Sequence, residues 1–382
     1  MDLLVFSHLR WNFVFQRPQH LISRCARQQR VFFWEEPTIG DQAAFLEIRD
    51  ENSHLRIVVP HLPSGLDTIE TSRVQQCLLA ELLSEFSIHD FVAWYYTPLA
   101  LDFSRNFQPK VIVYDCMDEL SGFRGAPQSL RAAEAELFQR ADLVFTGGKS
   151  LYESKRRQHA CVHCFPSSID REFFGSARHI RSEMPDQADV PHPRLGYCGV
   201  IDERMDMALL AAVAKSRPDW HLIMLGPTVK IEQSELPKKP NIHYLGPQPY
   251  RLLPAYMAGW DVGLLPFARN DATRFISPTK TPEYLAAGLP AVSTSIADVV
   301  EPYERLGLVH IASTADEFVR HCELAIETRN HPERLEEVDK HLSAMSWDLT
   351  WEQMNRLVHE VLSRTYEVRS AQFVVSSTTM AD

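Results

Sequence analysis

Residues 276–294 read Ile276-Ser-Pro-Thr-Lys-Thr-Pro-Glu-Tyr-Leu-Ala-Ala-Gly-Leu-Pro-Ala-Val-Ser-Thr294, a pattern of loop, short helix, turn and strand. Thr281 suits a helix N-cap and Pro282 the first helical position, where a missing N–H costs nothing. Tyr284, Leu285, Ala286 and Ala287 propagate the helix. Gly288 suits a left-handed ending and Pro290 blocks continuation. Ser277, Thr279, Lys280 and Glu283 crowd the front of this helix, whose free N–H groups and positive dipole end attract a phosphate. Lys280 adds charge there. Glu283, acceptor-only when ionised, suits ribose or sugar hydroxyls. An ordinary capped helix with a solvated Lys and Glu accounts for the same residues, so the remaining chain must decide.

Upstream of this stretch, strands and helices alternate. Leu195–Val200, His221–Leu225, Ile242–Leu245 and Asp261–Leu265 read as strands, the first three closing on Gly199, Gly226 and Gly246. Met207–Ala214 is helical. A polar, proline-rich run, 176–193, interrupts the pattern and reads as a linker. Before it lies a second such alternation. Strands are expected at 2–7, 31–34, 55–59, 91–95, 111–114, 143–145 and 162–165, with helices at 17–29, 66–87, 127–140 and 148–158. Strands alternating with helices imply parallel, doubly wound sheets. After the opening stretch come helices at 315–328, 331–343 and 348–367.

The expected domains are therefore 1–175, the linker 176–193, 194–346, a final helix over 347–367 and a flexible tail, 368–382. At 382 residues, two compact domains are the natural expectation. With 45% hydrophobic and 23% charged residues the composition is that of a soluble globular protein. A formal net charge of −11 argues against a general nucleic-acid binder. Seven scattered cysteines, without a signal sequence, point to reduced thiols and a cytoplasmic setting. No run approaches the roughly 18 apolar residues of a spanning helix, so membrane contact, at the inner face, would be peripheral.

The motif Ser277-Pro-x-Lys280-x-x-Glu283-Tyr-x-Ala-x-Gly288-x-Pro290-x-Val292 resembles the donor-binding segment of GT-B-fold glycosyltransferases that use nucleotide sugars. Within that fold it is most similar to the glycogen-synthase-like and mannosyltransferase-like group. The resemblance implies an α/β fold of two Rossmann-like domains facing across a cleft, with the last helix crossing back to brace the first. It implies that Glu283 holds the nucleotide ribose, and that the Lys/Ser loop lies near the diphosphate and sugar. Many members carry a second Glu eight positions earlier, where this chain has Phe275.

His8-Leu-Arg10-Trp11 followed by Gln16-Arg17-Pro-Gln19-His20 resembles a bacterial subgroup of these transferases. Here His8, Arg10, Trp11, Arg17 and Gln19 are read as acceptor-binding: Trp stacks on a sugar face and Arg binds a hydroxyl or acidic group. Packed core aromatics are the competing explanation for Trp11, Phe13 and Phe15. Gly199 lets backbone approach a diphosphate, and Arg204 pairs with it. Gly226 and Gly246 lie at strand ends, where ligands of doubly wound sheets bind. Asp115 and Asp118 are the catalytic candidates, as bases or as carboxylates stabilising an oxocarbenium-like state. Glu119 and Lys155-Arg156-Arg157 read as solvated. Many relatives have a His where this chain has Met117. Pro166-Ser-Ser168-Ile-Asp170 resembles the hinge motif Pro-x-Gly-Val-Asp, with Ser168 in place of Gly.

His159, Cys161, His163 and Cys164 have nominal metal-ligand spacing, but they fall on a strand without a second ligand pair, and no metal site is assigned. The expected activity is hexosyl transfer from a nucleotide diphosphate sugar, UDP favoured, to a hydroxyl of a glycan, lipid-linked or small acceptor in polysaccharide or glycoconjugate synthesis. No cofactor is required. A sugar-nucleotide 2-epimerase of the same fold, or an inactive nucleotide-sugar-binding scaffold, are the alternatives.

Overall fold

The computed structural model describes residues 1–329 and 331–378, with side chains described over 1–329 and 331–364. Nine strands build a first sheet: β1 (Asp2–Phe6), β2 (Val31–Trp34), β3 (Thr38–Gly40), β4 (Phe45–Asp50), β5 (Leu55–Pro63), β6 (Phe91–Tyr95), β7 (Val111–Cys116), β8 (Leu143–Thr146) and β9 (Val162–Cys164). Six build a second: β10 (Arg194–Cys198), β11 (His221–Leu225), β12 (Ile242–Gly246), β13 (Val262–Leu265), β14 (Ala291–Thr294) and β15 (Val309–Ala312). The second runs β12-β11-β10-β13-β14-β15, all parallel. The first runs β3-β5-β2-β1-β6-β7-β8-β9, with β4 on β5. In both sheets the chain starts in the middle, goes out to one edge, then returns to build the other, so each has a crevice where the order reverses.

The sequence reading expected a parallel first sheet, and the sheet is parallel except at β4. β4 pairs antiparallel with β5, because residues 51–54 are too few for a crossover and can only close a hairpin. Asn52 holds that turn, its Oδ1 accepting from the N–H groups of His54 and Leu55 at 2.9 and 3.0 Å.

The near-continuous apolar strands are buried on both faces. Leu3, Val5, Val111 and Val113 face one core, and Leu4, Phe6, Tyr114 and Cys116 the other. The second lobe has a separate core running from Ile169 to Leu342. The last helix, Trp347–Thr378, extends past 367; residues 379–382 of the expected tail lie outside the described residues. Trp347, Trp351, Met354, Val358 and Leu362 form one helical stripe buried with Leu3, Val5 and Trp94. The helix therefore returns to the first lobe, each such side chain contributing roughly 1.5–3 kcal/mol by burial. Among the described residues, no helix is long and apolar enough to cross a membrane.

The helix that opened the sequence reading spans Lys280–Ala286, with Thr279 as its N-cap residue. Thr281 does not cap it. Thr279 is already helical at φ −57° and ψ −26°, which leaves the Thr281 hydroxyl buried without a partner among the described residues. Gly288 takes the expected left-handed ending at φ +86°. The Leu289 N–H donates to Tyr284 O and the Gly288 N–H to Leu285 O, both at 2.9 Å. Tyr284 ties this helix to β10, its hydroxyl accepting from the Cys198 N–H at 2.9 Å. Its ring occupies the space a Cβ at Gly263 would need, so only glycine fits in β13 there.

Candidate functional site

The carboxyl ends of β10, β11 and β12 face residues 11–17 of the first lobe across a crevice with three connected parts. A cavity of about 390 Å³ is lined by Phe15, Gly199, Gly226, Gln248, Tyr250 and Lys280. A neck of about 120 Å³ is lined by Asp118, Gly147, Gly199, Arg204, Ser277 and Lys280. Beyond it, a cavity of about 480 Å³ is lined by His8, Arg10, Asp118, Phe123, Arg204 and Lys230. This is the switch-point crevice expected of doubly wound sheets.

Two glycines shape the second-lobe wall. A Cβ on Gly226 would lie 1.8 Å from Gly199 O, and one on Gly199 would lie 2.8 Å from the Tyr197 hydroxyl. Their φ angles, +139° and +153°, suit glycine alone. Bare backbone thus faces the cavity. Gly246 (φ +70°) accepts from the Gly226 N–H at 2.8 Å and is not among the residues lining these spaces.

Arg204 reaches the neck while its Nη2 is held 2.8 Å from Asp202. Ser277 and Thr279 line the neck beside Lys280. The Lys280 ammonium lies 2.5 Å from a Glu283 oxygen, and Glu283 is only 4% exposed. Burial pushes the Glu283 carboxyl up, and Lys280 opposes that shift. Glu283 is therefore covered by Lys280 rather than open to the crevice.

In the first lobe, Asp118 lines both the neck and the larger cavity. Burial raises its pKa to about 6, with Arg204 lowering it and Asp202 raising it. Asp115 does not share that position. It is fully buried on the face of β7 that carries Val111 and Val113, and Arg17 Nε donates to both its oxygens at 3.1 and 3.2 Å. A carboxylate so enclosed cannot reach a substrate.

Three residues read as acceptor-binding are also internal. Arg17 is 2% exposed and also donates to Phe165 O at 2.7 Å, touching only the edge of the neck. Gln19 is 1% exposed, its Nε2 donating to Trp11 O at 2.8 Å. The Trp11 ring packs edge-on against Phe33 at 5.1 Å and its backbone N–H donates to Glu35 at 2.7 Å; the residue borders the cavity of about 390 Å³ and not the one lined by His8 and Arg10. His8 and Arg10 do line the larger cavity. Burial lowers the His8 pKa to about 4, so its imidazole is neutral at physiological pH. Arg10 is paired with Glu35 at 3.0 Å. Glu119 and Lys155 are not solvated either: Lys155 is 3% exposed and pairs with Glu119 and Glu134 at 2.8 Å.

Sequence reasoning missed Tyr250 as a centre of the crevice. Its ring stacks on Phe15 at 4.4 Å and on Phe173 at 5.0 Å, and its hydroxyl lies 3.4 Å from His20. It also missed Phe123, over which Arg204 and Lys230 both sit, at 5.5 and 5.8 Å. The only local signal was an aromatic in a loop. Phe275, at the position where many resembled proteins have Glu, packs against the first lobe's core. Among the described residues, no group of three or more His, Cys, Asp or Glu side chains is placed to hold a metal ion.

Residues 192–328, the second lobe's sheet, match the family described as Glycosyl transferases group 1. A putative teichuronic acid biosynthesis glycosyltransferase, TuaH, of Bacillus subtilis (strain 168) is 26% identical over 224 residues, covering 53% of this chain. The match spans 55% of that relative, about half its length. Sucrose-phosphate synthase from Thermosynechococcus elongatus superimposes with a TM-score of 0.71 at 13% identity, over 95% of this chain and 99% of that one. An alpha,alpha-trehalose-phosphate synthase (UDP-forming) from Burkholderia xenovorans, in complex with glucose-6-phosphate, gives 0.68 at 10% identity over 94% and 99%. Anabaena Alr3699/HepE, in complex with UDP and glucose, gives 0.65 at 13% identity over 94% and 99%. At such identities these structures speak for the fold, which is GT-B. Family match, curated relative and fold together support a GT-B glycosyltransferase.

Proposed function

We propose that this GT-B glycosyltransferase moves a hexosyl group from a UDP-sugar to a hydroxyl of a sugar-containing acceptor in polysaccharide or glycoconjugate synthesis. The observation that carries this reading is the position of Asp118. It lies on the wall shared by the neck and the larger cavity, with Arg204 beside it.

The nucleotide occupies the cavity over Gly199 and Gly226, where the absence of side chains admits a diphosphate to backbone. Lys280 leaves Glu283 for the diphosphate, which frees the Glu283 carboxylate for the ribose hydroxyls. Arg204 and Lys280 supply the positive charge that stabilises departing UDP. The acceptor occupies the cavity lined by His8, Arg10 and Phe123. Its hydroxyl oxygen bonds to the anomeric carbon while the bond from that carbon to the diphosphate oxygen breaks, the electron pair leaving with UDP. Ionised Asp118 stabilises the positive charge developing on the sugar ring and accepts the hydroxyl proton. Lobe closure excludes water, which would otherwise hydrolyse the donor. The likeness to an Anabaena protein that binds UDP and glucose supports uridine as the base.

Thermal unfolding with UDP, GDP and ADP, followed by product analysis with UDP-sugars with and without a sugar acceptor, tests the reading. UDP should raise the midpoint most, Glu283→Ala should abolish that rise, and transfer should require acceptor and Asp118. An isomerised nucleotide sugar formed without acceptor would establish an epimerase. No stabilisation by any nucleotide would remove the donor site.

A further inference from the structure

Behind the donor crevice lies a second large cavity, about 460 Å³, that the transfer reaction does not use. It is walled by three parts of the chain. Residues 164–168 and Lys149 come from the first lobe, Ser277, Pro278, Asp298 and residues 301–303 from the second, and His341, Ala344 and Gln353 from the last two helices and the turn between them. Ser277 and Pro278 line this cavity on one side and the neck on the other, so a single loop separates the two spaces. Ser167 Oγ donates to Ser277 O at 3.3 Å across that partition.

The polar groups here are built in and incompletely answered. Ser168 is 3% exposed, and its hydroxyl has no hydrogen-bond partner among the described residues. It stands where the resembled hinge motif has Gly, so this hydroxyl is a feature of this chain and not a requirement of the turn. A buried hydroxyl beside a polar cavity is met by water or by a ligand. Asp298 is 7% exposed; one oxygen accepts from the Ser150 N–H at 2.9 Å. Glu301, Gln353 and Lys149 add acceptors and donors. His341, its pKa lowered by burial, offers a neutral imidazole packed edge-on to Tyr303 at 5.4 Å. Pro166, Pro302, Met345 and Leu349 supply an apolar side.

Hydroxyl, amide, imidazole and carboxylate groups facing an apolar wall match a ring with polar edges and an apolar face. Two carboxylates against one lysine disfavour an anion. We propose that this hinge cavity is a second carbohydrate site, binding a neutral sugar residue, and that its occupancy tightens donor binding. The coupling follows from geometry. The ligand would touch both lobes and the back of the loop that holds Ser277 and Lys280, so it favours the arrangement in which the donor crevice is assembled.

The test is calorimetric titration of glucose, galactose and N-acetylglucosamine into the full chain, first alone and then with saturating UDP. Ser168→Gly deletes the hydroxyl and restores the resembled motif. Ala344→Trp, on an exposed lining position, fills the cavity without touching the core. At least one sugar should bind, with affinity about fivefold lower in Ser168→Gly, as expected for one neutral hydrogen bond, and lost in Ala344→Trp. That sugar should also lower the UDP Kd by about fivefold or more in the parent and not in Ala344→Trp. Binding insensitive to both variants would place the sugar in the acceptor cavity and overturn the proposal, as would no binding at all. Sugar binding is read without nucleotide, so failure of the donor assignment would be seen separately, as absent UDP binding.

Discussion

Arg17 Nε lies 3.1 and 3.2 Å from the two oxygens of Asp115, and both side chains are buried. The pair joins the start of the first helix to the end of β7, 98 positions apart in sequence. It is the internal brace of the first lobe's crevice wall, and not part of the reaction.

Breaking it should therefore unfold the protein before it impairs chemistry. Asp115→Ala leaves the Arg17 guanidinium buried and uncompensated, a loss of about 3–5 kcal/mol. Urea unfolding should show that loss. The fraction still folded should bind UDP normally. An Asp115→Ala protein of parental stability without turnover would return Asp115 to the catalytic role.

Asp118 should give opposite pH signatures for activity and stability. Its pKa is raised from 3.8 to about 6 by burial. A raised carboxyl favours the protonated folded state. Its stabilising contribution is full below pH 3.8 and is lost as pH rises through 6. Turnover needs the ionised form and should rise over the same window. Asp118→Asn should lower kcat by roughly 10²–10⁴ and flatten the stability profile between those pH values. Parallel pH–rate and pH–unfolding series check both.

The second-lobe wall was legible in the sequence because it is local. Gly199 and Gly226 end apolar strands, and Gly288 ends a helix, so each position announces its backbone need. Asp115, Trp11 and Gln19 were misread because their orientation is set at a distance. Strand alternation puts Asp115 beside Val111 and Val113, and only the fold brings Arg17 there. Trp11 and Gln19 satisfy each other across the loop through one hydrogen bond. Tyr250 is defined by Phe15 and His20 from one distant segment and Phe173 from another, which no single window of sequence contains. β4 and β15 went unread because charged residues in Phe45–Asp50 and His310 in Val309–Ala312 break the apolar runs.

The two glycines should separate by function. Gly226→Ala drives a Cβ to 1.8 Å from Gly199 O at φ +139°, so the two strand ends must part. UDP affinity should fall by about tenfold or more, given 1–3 kcal/mol of backbone strain at the binding surface. Gly246 has open space around its Cβ position, so Gly246→Ala carries only the left-handed φ penalty. It should cost about 1 kcal/mol of stability and leave the UDP Kd within about twofold. Calorimetric titration of both variants distinguishes them.

Phe275 should govern how far the lobes open. It belongs to the second lobe, yet packs on the first lobe's core. Asp298 reinforces the same junction through the Ser150 N–H at 2.9 Å. Phe275 is partly buried, so Phe275→Ala removes part of the roughly 1.5–3 kcal/mol that full burial of such a side chain contributes, from an interface between lobes and not from the second lobe's own core. The main consequence should be a shift toward open forms, not unfolding. Small-angle scattering should show a larger radius of gyration for the unliganded variant, returning toward the parental value when UDP is added. The UDP Kd should rise by about tenfold, because binding must now supply the closure energy. Asp298→Asn keeps one acceptor oxygen and should shift both quantities less. A Phe275→Ala protein with parental dimensions and UDP affinity would mean that the lobes are held by contacts elsewhere, such as the Phe15–Tyr250 stack.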